Sequence, residues 1–79
     1  MNAEKLITMA NQIGSFFGAM PDRDQAVKDV ASHLRRTWDP RMRRALYDHI
    51  DRHGAKDLSE LLQEVVTKRR SDLEPAKNT

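Results

Sequence analysis

Cysteine is absent from the 79-residue chain. That excludes a disulfide scaffold and a thiolate zinc site, and it is compatible with a reducing cytoplasm. A long apolar run is also missing: no stretch approaches the roughly 18 continuous residues of a membrane span, so a soluble protein is expected. The opening segment "MNAEKLITMANQIGSFFGAM" does not read as a secretory leader, because Glu4 spoils a basic start and Asn11 and Gln12 interrupt the apolar core. It reads as part of the mature structure. Charge of one sign is lacking too, with 14 basic against 12 acidic residues and a net charge of +2, which weakens the case for nucleic acid as partner. A chain this short buries only about 60 to 65% of its unfolded surface and forms a single domain.

What is present is periodic. In the first segment Leu6, Met9, Ala10, Ile13, Phe16, Phe17 and Met20 recur in steps of three and four, the pattern of one helical stripe. Gly14 and Gly18 lower helix propensity there and allow close approach of another backbone. Pro21 stops the helix, and Asp22 with Gln25 has the capping-box spacing that opens a second. Val27, Val30, Ala31 and Leu34 form its stripe, with Trp38 one turn further and an end near Thr37.

Asp39 and Pro40 restart the chain, since Asp caps exposed amides and Pro, lacking an amide hydrogen, suits the first helical position. Met42, Ala45, Leu46, His49 and Ile50 then share a face, and Gly54 stands where a left-handed cap is needed. Asp57 with Glu60 repeats the capping-box pattern before a last stripe of Leu58, Leu61, Leu62, Val65 and Val66. Strand signals, internal repeats and low-complexity tracts are absent. The expected fold is all-α, a small bundle of four short helices over residues 1–70, with residues 71–79 as a flexible, disordered tail.

The usual constellations of chemistry do not assemble. His49 and His53 lie one helical turn apart, but they lack the HExxH context and a third ligand. The serines sit in no nucleophile elbow, and the carboxylates Asp22 and Asp24 are accounted for by helix capping. There is no Gly-rich phosphate loop, and a bundle this small has little room for an enclosed pocket. The chain alone is not expected to be an enzyme, nor to hold a metal or cofactor.

One window stands out. "HLRRTWDPRMRRAL" places Arg35, Arg36, Arg41, Arg43 and Arg44 around the only tryptophan, with Asp39 as the one acid. Arg35 and Arg36 suit the negative end of the second helix. Arg41, Arg43 and Arg44 fall in the first turns of the third, where the positive dipole end disfavours cations, so local stability does not call for them. An acidic protein surface accounts for them, with Trp and Arg as the residue types enriched among interface anchors. Trp38 itself fits either the core or the interface. The alternative is a small nucleic-acid-binding helical protein. The basic second helix after a short turn favours it, but the turn and the lack of Asn, Gln or Ser readers oppose it.

"MANQIGSFF" (9–17), the "PDRDQAV" link and "HLRRTWDPRMRRAL" (33–46) occur in an order and spacing that resemble the delta subunit of the NAD-dependent, molybdenum-containing formate dehydrogenases. The resemblance spans Leu6 to Leu62. It implies a non-catalytic accessory subunit of a cytoplasmic bacterial complex, binding the catalytic alpha subunit and supporting its assembly or cofactor maturation. The parent complex would use bis-molybdopterin guanine dinucleotide, iron–sulfur clusters, flavin and NAD, none of them held permanently by this chain. Partner contacts are expected at Asn11 and Gln12 in the first motif and at Arg35, Arg36, Trp38, Asp39, Arg41 and Arg43 in the second, with Arg44 beside them. Self-association through the apolar surface of the first helix is a further expectation.

Overall fold

The computed structural model describes residues 2–76. Four helices account for most of the chain: α1 (Ala3–Phe17), α2 (Arg23–Thr37), α3 (Pro40–His53) and α4 (Glu60–Lys68). A single turn, α5 (Arg70–Leu73), follows. No strand occurs among the described residues. α2 is the hub, packed against α1, α4 and α5, while α1 also contacts α3 and α4.

Each of the four longer helices starts at a side-chain cap, and α5 has none. The Asn2 side chain accepts from the amides of Glu4 and Lys5 at 2.8 and 3.4 Å, and Asp22 accepts from Gln25 at 3.2 Å. The Asp22 box is only half closed, because the Gln25 amide group donates to Asp29 instead. Asp39 accepts from the Met42 amide at 3.0 Å, with Pro40 in the first turn as expected. These bonds satisfy amides that have no partner within the helix.

α4 begins later than its spacing suggests. Its cap is Ser59, whose Oγ accepts from the Leu62 amide at 3.3 Å, rather than Asp57. The reason lies in α1: Asn11 Oδ1 accepts from the Ser59 amide at 2.8 Å, and Asn11 Nδ2 donates to the Asp57 carbonyl at 3.0 Å. This two-point clamp holds 57–59 as a loop and delays the helix. Leu58 thus reaches the core from the loop. At the other end of that loop Gly54 takes φ +85° and ψ 177°, a region open essentially to glycine alone and not the left-handed helical cap expected.

The core joins Leu6, Ile7 and Ala10 of α1, Val27, Val30, Ala31 and Leu34 of α2, and Leu46 and Tyr47 of α3 to the leucines and valines of α4. Two stripes are rotated from the expected ones. In α1 the buried line is Leu6, Ile7, Ala10 and Gly14, while Met9 and Phe16 face outward. Gly14 explains the rotation: a Cβ there would overlap Leu62 Cδ2, so only glycine lets α4 come this close. In α3 the buried residues are Arg43, Leu46 and Tyr47, one position on from the expected face, and Met42, Ala45, His49 and Ile50 are only partly covered.

The chain beyond residue 70 is not a free tail as far as it is described. Ser71 to Leu73 belong to α5, and Leu73 is 1% exposed. Arg70 fastens this turn by donating to Glu74 and to Asp51 at 2.7–2.9 Å while lying over the Tyr47 ring at 4.7 Å. An apolar anchor plus these ion pairs outweigh the entropy that a polar, proline-containing segment would otherwise keep. Residues 77–79 of the expected tail lie outside the described residues.

Candidate functional site

The arginine window separates into an internal part and an external part. Trp38 is 4% exposed and belongs to the core, so it is not displayed toward a partner. It caps the end of α2, its amide bonded to the Leu34 carbonyl, and the chain turns there without exposing the indole. Arg43 is also internal, 4% exposed, although the sequence gives it no apolar neighbourhood of its own. Its Nε donates to the Trp38 carbonyl at 3.3 Å and its Nη1 to the Leu73 carbonyl at 2.8 Å. Burial, and then the neighbouring Arg35, pull the Arg43 pKa below the ordinary arginine value, with Asp39 opposing them. The cation is therefore a strut between the 38–40 corner and α5.

Asn11 and Asp39 are also occupied inside the fold, the first as the loop clamp and the second as a helix cap. Four of the nine expected contact residues, Asn11, Trp38, Asp39 and Arg43, thus have structural work. The other five, Gln12, Arg35, Arg36, Arg41 and Arg44, are exposed. None of these four arginines forms an ion pair among the described residues, whereas Arg23, Arg69 and Arg70 all do. Arg36 Nε donates to Ser32 Oγ at 3.3 Å. Arg35 shares one surface depression with Lys28, Ser32 and Arg69, and another with Pro40 and Arg43. Arg41 lies in the first turn of α3, which contains no acidic residue to offset the dipole.

A second feature lies on the outer side of α1. Met9, Gln12, Ile13, Phe16, Phe17 and His33 line an open groove of about 430 Å³ between α1 and α2. Phe16 is 78% exposed and Met9 39%. Phe16 meets Phe17 edge-on at 5.2 Å, and Phe17 lies 6.0 Å from the His33 ring. Burying a side chain the size of Phe16 is worth about 1.5–3 kcal/mol, which the isolated fold forgoes. The clue in the sequence was Ala10 and Gly14, four apart and both small: a helix packed closely along that line turns its larger apolar residues outward.

The His49 and His53 rings meet at 5.0 Å, tilted by 43°, and His49 Nε2 is buried with no hydrogen-bond partner among the described residues. No group of three or more His, Cys, Asp or Glu side chains gathers there or elsewhere among them. No helix among the described residues is long and apolar enough to cross a membrane.

Fold and surface together define a small all-α module whose distinguishing groups are a corner of exposed arginines without ion pairs among the described residues and a mainly apolar groove. The sequence model of the NADH-dependent formate dehydrogenase delta subunit, FdsD, matches residues 5–66. The chain belongs to that family, and membership places it among the subunits of a formate dehydrogenase complex. No curated protein and no solved structure matched the chain.

Proposed function

We propose that the chain is a non-catalytic accessory subunit of a cytoplasmic NAD-dependent formate dehydrogenase, binding its molybdenum-containing catalytic subunit and supporting assembly or cofactor maturation. The family match over residues 5–66 carries this reading. The exposed arginines Arg35, Arg36, Arg41 and Arg44 support it, because none forms an ion pair among the described residues; Arg35 and Arg36 are favoured by the C-terminal end of α2, whereas α3 gains nothing from cations near its start at Arg41 and Arg44. In a partly dry interface an Arg–carboxylate contact contributes about 1.5–3 kcal/mol, against about 0–1 when fully exposed. Two such contacts contribute about 3–6 kcal/mol, so a specific attachment also needs apolar burial beside them.

Bis-molybdopterin guanine dinucleotide, the iron–sulfur clusters, flavin and NAD belong, in this reading, to other subunits. The chain has no cysteine with which to ligate a cluster. Nothing in the geometry favours the nucleic-acid alternative, since Arg43 of the supposed reading helix points inward.

The test is co-expression of the tagged chain with the catalytic subunit, followed by purification through the tag. The natural chain is expected to retain the catalytic subunit, and its omission is expected to lower the molybdenum content of the enzyme. Arg41→Glu with Arg44→Glu should weaken recovery without altering the fold. No recovery with the natural chain, together with unchanged metal content when it is omitted, would overturn the reading.

A further inference from the structure

The α1–α2 groove is an apolar surface for which the fold has no occupant, and its rim indicates what would fill it. Lys5 stands one turn before Met9 on the line that continues through Gln12 and Phe16, and Arg36 stands one turn beyond His33 on α2. Both cations are exposed, and neither forms an ion pair among the described residues. On the α2 side Asp29 lies one turn before His33, accepts from the Gln25 amide group at 2.9 Å and does not line the groove. The groove is thus mainly apolar, interrupted by Gln12 and His33, and has beyond it cations that form no ion pair among the described residues.

We infer that this groove seats an apolar segment of the catalytic subunit that carries a carboxylate directed at Lys5 or Arg36. The inference rests on the accessory-subunit reading and adds the face and the chemistry of the contact. Three observations support this occupant. The groove is open and lies between two helices, the geometry in which side chains of a partner segment insert in steps of three and four. Its apolar residues come from the 9–17 motif: Ile13 and Phe17 pack against the core and form the floor, whereas Met9 and Phe16 face out and are not consumed by it. The rim then selects between occupants. A second copy would bring the same unpaired cations to the contact, whereas an acidic partner segment neutralises them.

Arg36 joins the two surfaces. It belongs to the arginine window and also flanks His33, so a partner seated in the groove reaches the α2 end of the cationic corner without a second docking event. The apolar groove supplies the desolvated anchor and the arginines supply the rim.

The same co-expression with the catalytic subunit tests the groove separately from the wider reading. Phe16→Glu alters a side chain that the core does not need, so its thermal midpoint should match that of the natural chain. Recovery of the catalytic subunit should nevertheless fall at least about ten-fold. Lys5→Glu with Arg36→Glu should lower recovery most at low salt and flatten its dependence on salt, and unchanged recovery at low salt would remove the carboxylate from the inference. If the natural chain binds and Phe16→Glu binds equally well, the groove is not the docking face and the accessory reading stands. If the natural chain does not bind, both fall. If the free natural chain is a dimer that Phe16→Glu makes monomeric, while recovery is unchanged, the groove holds a second copy and the inference is overturned.

Discussion

Replacing Arg43 separates an internal strut from a displayed cation. Its guanidinium spans two carbonyls that belong to different parts of the chain, Trp38 at the corner and Leu73 in α5, and it is 4% exposed. A hydrogen bond from a charged donor contributes about 1.5–3 kcal/mol net, and the desolvation that pulls the Arg43 pKa down offsets part of the pair. Arg43→Ala is therefore expected to cost about 2–3 kcal/mol, with the Leu73 carbonyl losing its donor and a void replacing the side-chain stem. For a domain of this size that is a fall of roughly 10–20 °C in thermal midpoint, measured by circular dichroism. Arg43→Lys keeps the charge but presents no fork, so it should recover about half of the loss. Arg44→Ala, one residue away and exposed, should stay within about 0.5 kcal/mol. Equal effects of Arg43→Ala and Arg44→Ala would refute the strut. Loss of amide protection confined to α5 in Arg43→Ala would instead show that the strut acts through that turn alone.

Two further outcomes follow from the packing. Gly14→Ala gains about 1 kcal/mol in helix propensity but drives a methyl into the end of the Leu62 side chain, which is fully buried and must repack within the core. Overpacking at about 1–3 kcal/mol should prevail, and a lower urea midpoint than that of the natural chain checks it. Tyr47, the only tyrosine, donates its hydroxyl to the Val66 carbonyl at 2.9 Å, and burial, partly countered by Arg70, pushes its pKa up to about 12. Because the folded value lies above the unfolded one near 10, the neutral phenol favours the folded state. Its contribution is complete below about pH 10 and is lost as pH rises toward 12. Ultraviolet titration of the phenolate should show a midpoint well above 10 in the folded chain, and a midpoint near 10 would refute the buried bond.

The helices were legible because their signals are local. Asp22, Asp39 and Pro40 act on amides within one turn, and the leucines and valines of α2 and α4 repeat at the helical period. The α4 start was misread because Asp57 and Ser59 both have capping chemistry. The choice between them was made by Asn11, 48 residues from Ser59 in the chain. The arginine window was legible as an anomaly of charge but not as a geometry. Nothing in "RMRR" distinguishes Arg43 from Arg41 and Arg44, and burial of Arg43 depends on carbonyls supplied by Trp38 and by Leu73.

Capping and helical period are short-range properties, so the all-α class, the absence of disulfides, the helix breaks and the family of the motifs can all be read along the chain. Which side of each helix faces in is set by packing between segments. In α1 that side is the small one, because Gly14 admits Leu62, and the consequence is an exposed Phe16 and an apolar groove. In α3 it is the side that brings Arg43 under α5 and Tyr47 against Val66. Trp38 faces inward with them, leaving Arg35, Arg36, Arg41 and Arg44 outside. The rotation of a helix about its axis is fixed by the shape of its neighbours, and that shape is a property of several segments at once.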